Sequence, residues 1–291
     1  MAATIIDGKA ISAQIRAELR PKVHALTEAG FRPGLAVILV GENPASEVYV
    51  RNKERTCEKL GILSVKHHLS AKTSLSELRT LIDDLNNDHR IHGILVQLPL
   101  PGHLDERDIL YSISPEKDVD GFHPYNLGRL MIGDPVYLPC TPWGIQEMLV
   151  RSGVEVSGKN VVIFGRSNIV GKPLAMMLVQ KSAGANATVT LCHTRTKDPL
   201  IYTKNADILV AAVGSPGMVT KEMVKDGAVV VDVGINSVDR RLVGDVDYEQ
   251  VSQVASLITP VPGGVGPMTI AMLMANTVRS AERTRQKNLV H

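Results

Sequence analysis

The 291-residue sequence lacks several features that would mark particular classes of protein. It has only three cysteines, far apart and in no C-x-x-C pattern, which argues against a disulfide framework and favours a reducing, cytoplasmic compartment. Its 32 basic and 30 acidic residues nearly cancel, so charge points neither to nucleic acid nor to a membrane as partner. The sequence has no apolar run long enough to cross a membrane, and its N-terminus lacks the apolar stretch of a signal peptide. We therefore expect a soluble, unprocessed protein.

Metal-binding patterns are also missing from the sequence. The nine histidines show no H-E-x-x-H or comparable spacing, so we expect no metal site. What the sequence does show is an alternation of helix-like and strand-like segments almost throughout, which is typical of an α/β protein. The predicted strands are residues 35–40, 62–69 and 92–98 in the first half, with further strands beginning at 161, 188, 208 and 229.

A strand-to-helix junction near the middle of the chain organises the second half. The apolar run 161–164 predicts a buried parallel strand, and Gly165 permits a tight turn into a helix whose first N–H groups, from about Ile169, can bind phosphate. The pattern departs from the common dinucleotide fingerprint G-x-G-x-x-G, because Ser167 replaces the second glycine and the third falls at Gly171. On this stretch alone, a simple turn is as good an interpretation as a nucleotide site.

The next predicted strand, residues 188–192, helps to separate NADP from NAD. An acidic residue at its end would bind the ribose 2′-hydroxyl of NAD, but none stands there. Thr194 and Arg195 follow the strand, and Arg166 lies in the first turn, so these donors could surround the 2′-phosphate of NADP. We therefore favour NADP. The alternative is that Arg195 is an ordinary solvated arginine.

A helix in the first half carries the most informative side chains there. Asn43 as N-cap predicts a helix that reaches about Leu60, and Tyr49 and Lys53, four residues apart, share its inward face. Burial with no acidic neighbour within the helix should lower the pKa of Lys53, which suits a proton acceptor or a poised hydrogen-bond donor. The alternative, which spacing alone favours, is a lysine that snorkels along the edge of the core.

Two more polar residues are predicted to lie near this lysine. Gln97 falls at the carboxyl end of a parallel strand, where its amide could accept from Lys53 and donate to a substrate; it could also simply bond to its loop. Asp120 lies in the charged turn 115–121. A carboxylate matches two adjacent N–H donors of a pterin-like ring, although an aspartate before a glycine is more often simple turn chemistry.

These observations predict two α/β domains. The first, residues 1–139 with 271–291, is an N-terminal α/β catalytic domain, and the second, residues 140–270, is a Rossmann-like doubly wound parallel sheet. In the second domain, Ile235 follows a strand and could pack on a nicotinamide ring. The Gly- and Pro-rich loop 259–269 is predicted to be irregular, with Pro267 starting the closing helix.

Five segments of the sequence, taken in order, closely resemble those of one family. They are Tyr49-Val-Arg-Asn-Lys53, Val96-Gln-Leu-Pro-Leu-Pro101, Lys117-Asp-Val-Asp-Gly121, Gly165-Arg-Ser-Asn-Ile-Val-Gly171 and Pro260-Val-Pro-Gly-Gly-Val-Gly-Pro-Met-Thr269. The family is that of the bifunctional methylenetetrahydrofolate dehydrogenase/cyclohydrolases, FolD. The resemblance covers nearly the whole chain and is specific because all five segments occur together.

The resemblance implies a metal-free, two-domain homodimer with its active site in the cleft between the domains. It implies NADP⁺-dependent oxidation of 5,10-methylenetetrahydrofolate to the methenyl form, followed by hydrolysis to 10-formyltetrahydrofolate. Lys53 would be the essential catalytic group, with Tyr49 ordering the substrate, Gln97 tuning Lys53 and Asp120 holding the pterin. Positions that match cofactor contacts are Gly165, Arg166, Ser167 and Ile235. Positions that match folate contacts are Val96, Leu98, Pro262, Gly263, Gly264, Val265, Gly266, Pro267 and Thr269.

Two other functions remain open from the sequence. One is a monofunctional dehydrogenase with the same fold. The other is a nucleotide-sensing binding module without turnover, in which the inward pair Tyr49 and Lys53 would have no role.

Overall fold

The computed structural model describes residues 2–239 and 241–290. Its contacts divide the chain into two compact units: unit 1 is Met1–Ala13 with Thr141–Thr269, and unit 2 is Gln14–Cys140 with Ile270–His291. Among the described residues, none of the helices is both long and apolar enough to span a bilayer.

The strands, in chain order, are β1 (Thr4–Ile5), β2 (Gly34–Val40), β3 (Leu63–Leu69), β4 (Gly93–Val96), β5 (Asn160–Phe164), β6 (Thr188–Cys192), β7 (Ile208–Ala211), β8 (Val229–Asp232), β9 (Asn236–Val238), β10 (Arg241–Val243) and β11 (Leu257–Ile258). The helices are α1 (Gly8–Glu28), α2 (Pro44–Leu60), α3 (Leu75–Asn87), α4 (Glu106–Ser112), α5 (Pro124–Met131), α6 (Cys140–Arg151), α7 (Gly171–Leu178), α8 (Leu200–Thr203), α9 (Tyr248–Val251) and α10 (Val265–Val290). A short 3₁₀ turn spans Lys221–Met223.

Unit 2 is built on a three-stranded parallel sheet in the order β3-β2-β4. All seven residues of the central strand β2 are buried, as expected for an apolar strand covered on both faces. The ends of α2 follow from its sequence. The Asn43 side chain accepts a hydrogen bond from the backbone N–H of Ser46 (3.1 Å), and Gly61 ends the helix in the left-handed conformation (φ 82°).

Unit 1 contains a six-stranded, all-parallel sheet in the order β1-β11-β8-β7-β5-β6, together with the separate hairpin β9–β10. From β5 the chain crosses to β6 on one side and then to β7 on the other. Strand order therefore reverses between β5 and β7. In open α/β sheets, ligands bind beyond the carboxyl ends of the strands at such a switch point.

The predicted fold class is confirmed, since both units are α/β with parallel sheets. The predicted domain limits differ from the two units at the N-terminus. Residues 1–13 belong with the six-stranded sheet, because β1 pairs with β11 and the N–H of Thr4 donates to the carbonyl of Ser256 (2.8 Å). Both residues of β1 are exposed, so this short strand has no apolar pattern that would predict it.

Candidate active site

Lys53 is buried in unit 2, with 7% of its surface exposed. It lies on the inward face of α2 with Val50 and Cys57, one turn after the half-buried Tyr49. Its Nζ donates a hydrogen bond to Oε1 of Gln97 (2.7 Å). Gln97 follows the last residue of β4, and its Nε2 donates to the carbonyl of Leu98 (2.7 Å). That second bond fixes the amide so that its oxygen faces the lysine.

The counter-charge of Lys53 comes from another part of the chain. Burial lowers the pKa of Lys53, and the nearby carboxylate of Asp120 partly opposes that shift. Burial raises the pKa of Asp120 to about 6, although the positive charge of Lys53 acts to lower it. Above about pH 6 the site therefore holds a carboxylate beside a lysine that gives up its proton more readily than one in water.

The turn that carries Asp120 is held by residues that the sequence analysis missed. Asp118 is buried, and its carboxylate accepts from the backbone N–H groups of Gly121 (3.2 Å), Phe122 (3.2 Å) and His123 (2.8 Å). Such a network fixes the path of the chain on both sides of Asp120. Asp118 thus has a structural role and leaves Asp120 as the carboxylate beside Lys53.

Asn276, on α10, adds a second support to this turn. Its Nδ2 donates to the carbonyls of Val119 and Leu138, both at 2.8 Å. The sequence gives no signal for this residue, because it lies more than 130 positions from both partners.

The other unit 2 residues of the resemblance lie next to Gln97 in the chain or one helical turn before Lys53. Val96 is buried at the end of β4, and Leu98 is half-buried just beyond Gln97. Burial raises the pKa of Tyr49, so its hydroxyl stays protonated at neutral pH. Helix α2 therefore carries a neutral hydroxyl one turn before the amine that donates to the amide at the end of β4.

In unit 1, two glycines at the turn after β5 leave no room for a side chain. Gly165 has φ 142°, and a Cβ built there would collide with the carbonyl oxygen of Ala212. A Cβ at Gly171 would collide with the carbonyl oxygen of Gly165. Ser167, which stands where the common fingerprint has a glycine, accepts hydrogen bonds at Oγ from the N–H groups of Val170 (3.1 Å) and Gly171 (3.4 Å). These features fit a backbone cradle for phosphate at the switch point.

The predicted phosphate ligands lie at neighbouring strand ends of the six-stranded sheet. Strands β5 and β6 are parallel partners, and the N–H of Gly165 donates to the carbonyl of Cys192 (2.9 Å). Arg166 therefore starts from the same edge as Thr194 and Arg195, and all three residues are exposed. Ile169 is exposed in the following turn, and Ile235 lies beyond β8 with 47% of its surface exposed. This edge offers cationic donors for a phosphate and an apolar contact for a ring.

The Gly- and Pro-rich loop also belongs to unit 1, and its end differs from the prediction. Helix α10 begins at Val265, two residues before the predicted start at Pro267. Four of the predicted folate contacts in this loop are thus helical, namely Val265, Gly266, Pro267 and Thr269. The other three in the loop, Pro262, Gly263 and Gly264, precede the helix. Gly263 has φ 112°, and its carbonyl accepts from the N–H of Lys9 (3.1 Å). The N-terminal segment therefore helps to fix this loop.

In the part of the chain that the structure describes, no group of three or more His, Cys, Asp or Glu residues is arranged to hold a metal ion. A doubly wound sheet with a glycine turn at its switch point, carried on the same chain as a buried lysine with a half-buried glutamine and aspartate, defines a nicotinamide-nucleotide-dependent enzyme with an acid–base site.

Comparison with known families gives the particular class. The catalytic-domain model of the tetrahydrofolate dehydrogenase/cyclohydrolase family matches residues 6–120, and the NAD(P)-binding-domain model of the same family matches residues 139–285. The chain therefore belongs to the tetrahydrofolate dehydrogenase/cyclohydrolase family.

Individual relatives match this chain over nearly their whole length. The bifunctional protein FolD of Moorella thermoacetica is 57% identical, over 97% of this chain and 100% of that protein. The crystal structure of the bifunctional FolD enzyme of Campylobacter jejuni has a TM-score of 0.94 at 51% identity and covers 97% of this chain and 100% of its own. The FolD of Trypanosoma brucei, solved with NADP and an inhibitor, has a TM-score of 0.93 at 40% identity and covers 98% and 99%.

Proposed function

We propose that this chain oxidises 5,10-methylenetetrahydrofolate with NADP⁺ and then hydrolyses the methenyl product, with Lys53 as the essential catalytic group. The chain is a bifunctional methylenetetrahydrofolate dehydrogenase and methenyltetrahydrofolate cyclohydrolase of folate one-carbon metabolism. The observation that carries the assignment of Lys53 is the hydrogen bond of its buried amine to Gln97 (2.7 Å), in a unit where Asp120 provides the opposite charge.

In the hydrolytic half, Lys53 acts as base or polariser for the water that attacks the methenyl carbon. Burial lowers the pKa of Lys53, which brings it closer to the operating pH, where general bases are most effective. The oxygen of Gln97 accepts a hydrogen bond from Nζ and so fixes the direction of the amine. Tyr49 presents a protonated hydroxyl on the same helix face and orders the substrate.

Asp120 holds the pterin ring. Its pKa of about 6 leaves it ionised at neutral pH, so its two oxygens can accept from the two adjacent N–H donors of the ring. Asp118 and the turn it organises keep this carboxylate in place. The backbone of residues 262–269, with Val96 and Leu98, supplies the remaining folate contacts.

In the oxidative half, NADP⁺ when bound accepts the hydride, and positioning supplies most of the rate effect. The turn at Gly165 and Ser167 holds the pyrophosphate, with Ile169 beside it. The 2′-phosphate is held by Arg166, Thr194 and Arg195. We favour NADP because no acidic residue that would select NAD follows directly after β6. Ile235 packs on the nicotinamide ring. The description of the family's nucleotide domain as NAD(P)-binding leaves NAD as the alternative cofactor.

We further propose that the protein works as a cytoplasmic homodimer. All three cysteines are free and buried, which suits a reducing compartment. Sedimentation of the purified chain over a concentration series tests the dimer directly, and a single monomeric species would contradict it.

Two assays on the purified protein test the function. Reduction of NADP⁺ on addition of methylenetetrahydrofolate measures the dehydrogenase. Loss of methenyltetrahydrofolate faster than its spontaneous hydrolysis, without cofactor, measures the cyclohydrolase. We expect both. Dehydrogenase alone would mean a monofunctional enzyme, and stoichiometric NADPH binding with neither activity would mean a binding module.

A further inference from the structure

Asp245 lies in unit 1, outside every residue assigned above, and it is completely buried. Its carboxylate is the meeting point of several donors. Oδ2 accepts from the backbone N–H groups of Val213 (2.6 Å) and Gly214 (2.8 Å), and Oδ1 accepts from the N–H of Ser215 (3.0 Å). Nδ2 of Asn236 also donates to Oδ1 (2.9 Å). Three consecutive N–H groups thus converge on one carboxylate.

These donors belong to two segments that follow neighbouring strands. Residues 213–217 continue from β7, and residues 233–236 continue from β8, with Ile235 between Gly234 and Asn236. Both segments lie at the carboxyl edge of the sheet, where the switch point places a ligand. Asp245 therefore joins the loop after β7 to the turn that carries the proposed nicotinamide contact.

Asp232, at the end of β8, holds Asp245 in turn. Its carboxylate accepts from the backbone N–H groups of Gly234 (2.9 Å), Asp245 (2.9 Å) and Val246 (3.0 Å). The fit is tight, because a Cβ added at Gly234 would collide with the side chain of Asp245, and one added at Gly244 would collide with the carboxylate of Asp232. The two aspartates and two glycines form one rigid arrangement.

The loop that Asp245 holds is not fixed by packing. Gly214 and residues 216–218 are exposed, and Gly214 and Gly217 have positive φ angles of 73° and 62°. An exposed, glycine-containing loop has many conformations of similar energy unless its N–H groups are anchored. The carboxylate therefore selects one conformation for the loop beside the switch point.

We propose that Asp245, held by Asp232, is a positioning residue that pre-forms the nicotinamide side of the cofactor site. The inference rests on the proposed function, because it concerns the same cofactor. Without the carboxylate, the loop after β7 and the turn at Ile235 move independently. The cofactor must then order them on binding, and its affinity falls while the residues around Lys53 stay unchanged.

The test is Asp245→Asn, which keeps the shape of the side chain but replaces one acceptor oxygen with an NH₂ group that faces two donors. We expect the Kd for NADPH and the KM for NADP⁺ to rise about tenfold or more, as expected for the loss of charged hydrogen bonds. Cyclohydrolase activity, started from methenyltetrahydrofolate without cofactor, should stay within about twofold of wild type.

Asp247→Asn is the matched control, since Asp247 caps the short helix α9 two residues away and lies outside the cofactor loops. This control should change neither the Kd for NADPH nor the KM for NADP⁺. Asn236→Ala is a milder second variant that removes one donor to Asp245 and should raise the KM for NADP⁺ about threefold. If Asp245→Asn does not fold, this second variant decides the question.

The outcomes separate the two proposals. Unchanged NADPH affinity in folded Asp245→Asn or Asn236→Ala, or an equal loss of both activities, overturns the positioning role while the proposed function stands. A wild-type protein that neither reduces NADP⁺ nor binds NADPH overturns both. A rise in Kd with intact cyclohydrolase activity supports the inference.

Discussion

The two units build their sites from different parts of the chain. In unit 2, side chains form the site: the buried amine of Lys53 donates directly to the half-buried amide of Gln97 and interacts electrostatically with the carboxylate of Asp120. In unit 1, the backbone forms the site. Glycines allow backbone segments to approach each other closely, and the buried carboxylate of Asp245 accepts from consecutive N–H groups. The side chains proposed to touch the cofactor, such as Arg166 and Ile235, are exposed.

This difference has an energetic basis. Burial of an ionisable group costs free energy, and the lowered pKa of Lys53 and the raised pKa of Asp120 reflect that cost. A chemical site keeps such groups because the shifted pKa is useful. A binding site for a phosphate needs no shifted pKa, and its cost is instead the loss of backbone freedom. Removing a side chain should therefore reduce catalysis by the unit 2 site most. Adding a side chain should reduce cofactor binding by unit 1 most.

Lys53→Met should have the largest effect. It removes the amine but keeps an unbranched side chain, so cyclohydrolase activity should fall about a thousandfold, within the range expected for general acid–base catalysis. The free energy of unfolding at neutral pH should fall, because the carboxylate of Asp120 loses its counter-charge. Assays of both activities together with thermal unfolding measure this.

Lys59→Met is the control for that variant, because Lys59 is an exposed lysine in the last turn of the same helix. It should keep both activities. Full cyclohydrolase activity in Lys53→Met would refute the catalytic role of Lys53 and remove the contrast between the units.

Gly165→Ala tests the opposite half of the comparison. The new Cβ would collide with the carbonyl of Ala212, so β5 and β7 must separate at the switch point. We expect the KM for NADP⁺ to rise about a hundredfold, in line with the upper range of overpacking costs. Cyclohydrolase activity without cofactor should change little.

Gly158→Ala separates this collision from a general effect of positive φ. Gly158 has φ 73°, and a Cβ there would meet no atom of the described residues within 4 Å. It should lower the free energy of unfolding by about 1–2 kcal/mol without changing the KM for NADP⁺. If the two variants affect cofactor binding equally, the close approach at Gly165 has no special role.

Sequence reasoning succeeded where the signal was local. The N-cap at Asn43 predicted the start of α2 and its end near Leu60, and the spacing predicted that Lys53 lies on the buried face of the helix. Ser74 and Glu77 likewise form a capping box at the start of α3, a pattern that four consecutive residues define. In each case the residues that decide the structure are within a few positions of one another.

Sequence reasoning failed where partners are distant. The prediction found no acid within α2 to pair with Lys53, whereas the counter-charge is Asp120, which lies in another segment. Asp245 escaped notice because three of its four donors are about 30 residues earlier and are backbone N–H groups, which nearly every residue has. Strand β1 was missed because only its backbone pairing with β11 defines it.

The arginines of unit 1 allow a third, smaller test. Arg166→Ala and Arg195→Ala should each raise the KM for NADP⁺ about tenfold, because a charged hydrogen bond to the 2′-phosphate is lost, and should leave the KM for NAD⁺ unchanged. Steady-state kinetics with both cofactors measure this. Lys181→Ala removes an exposed positive charge that follows α7, away from this edge, and serves as the control. An equal loss with NAD⁺ would show that the arginines do not recognise the 2′-phosphate.

The smallest predicted effect is the pH dependence of folate binding, which concerns Asp120 in unit 2. Burial raises the pKa of Asp120 to about 6. Below this pH the carboxylate is protonated and loses one of its two acceptor positions for the pterin. Between about pH 7 and pH 5.5, kcat/KM for methylenetetrahydrofolate should therefore fall about fourfold. Asp120→Asn should bind folate weakly and lack this acid limb, while the exposed Asp83→Asn should keep it.

The same group contributes to stability with a definite sign. Since its pKa in the folded protein exceeds the ordinary value of about 4, the native state binds more protons than the unfolded state between these values. The contribution of Asp120 to the free energy of unfolding is therefore greatest below about pH 4 and declines as the pH rises to about 6. Because the charge of Lys53 lowers the pKa of Asp120, Lys53→Met should move the acid limb of folate binding to higher pH. An acid limb at the same pH in that variant would mean that the two groups do not interact.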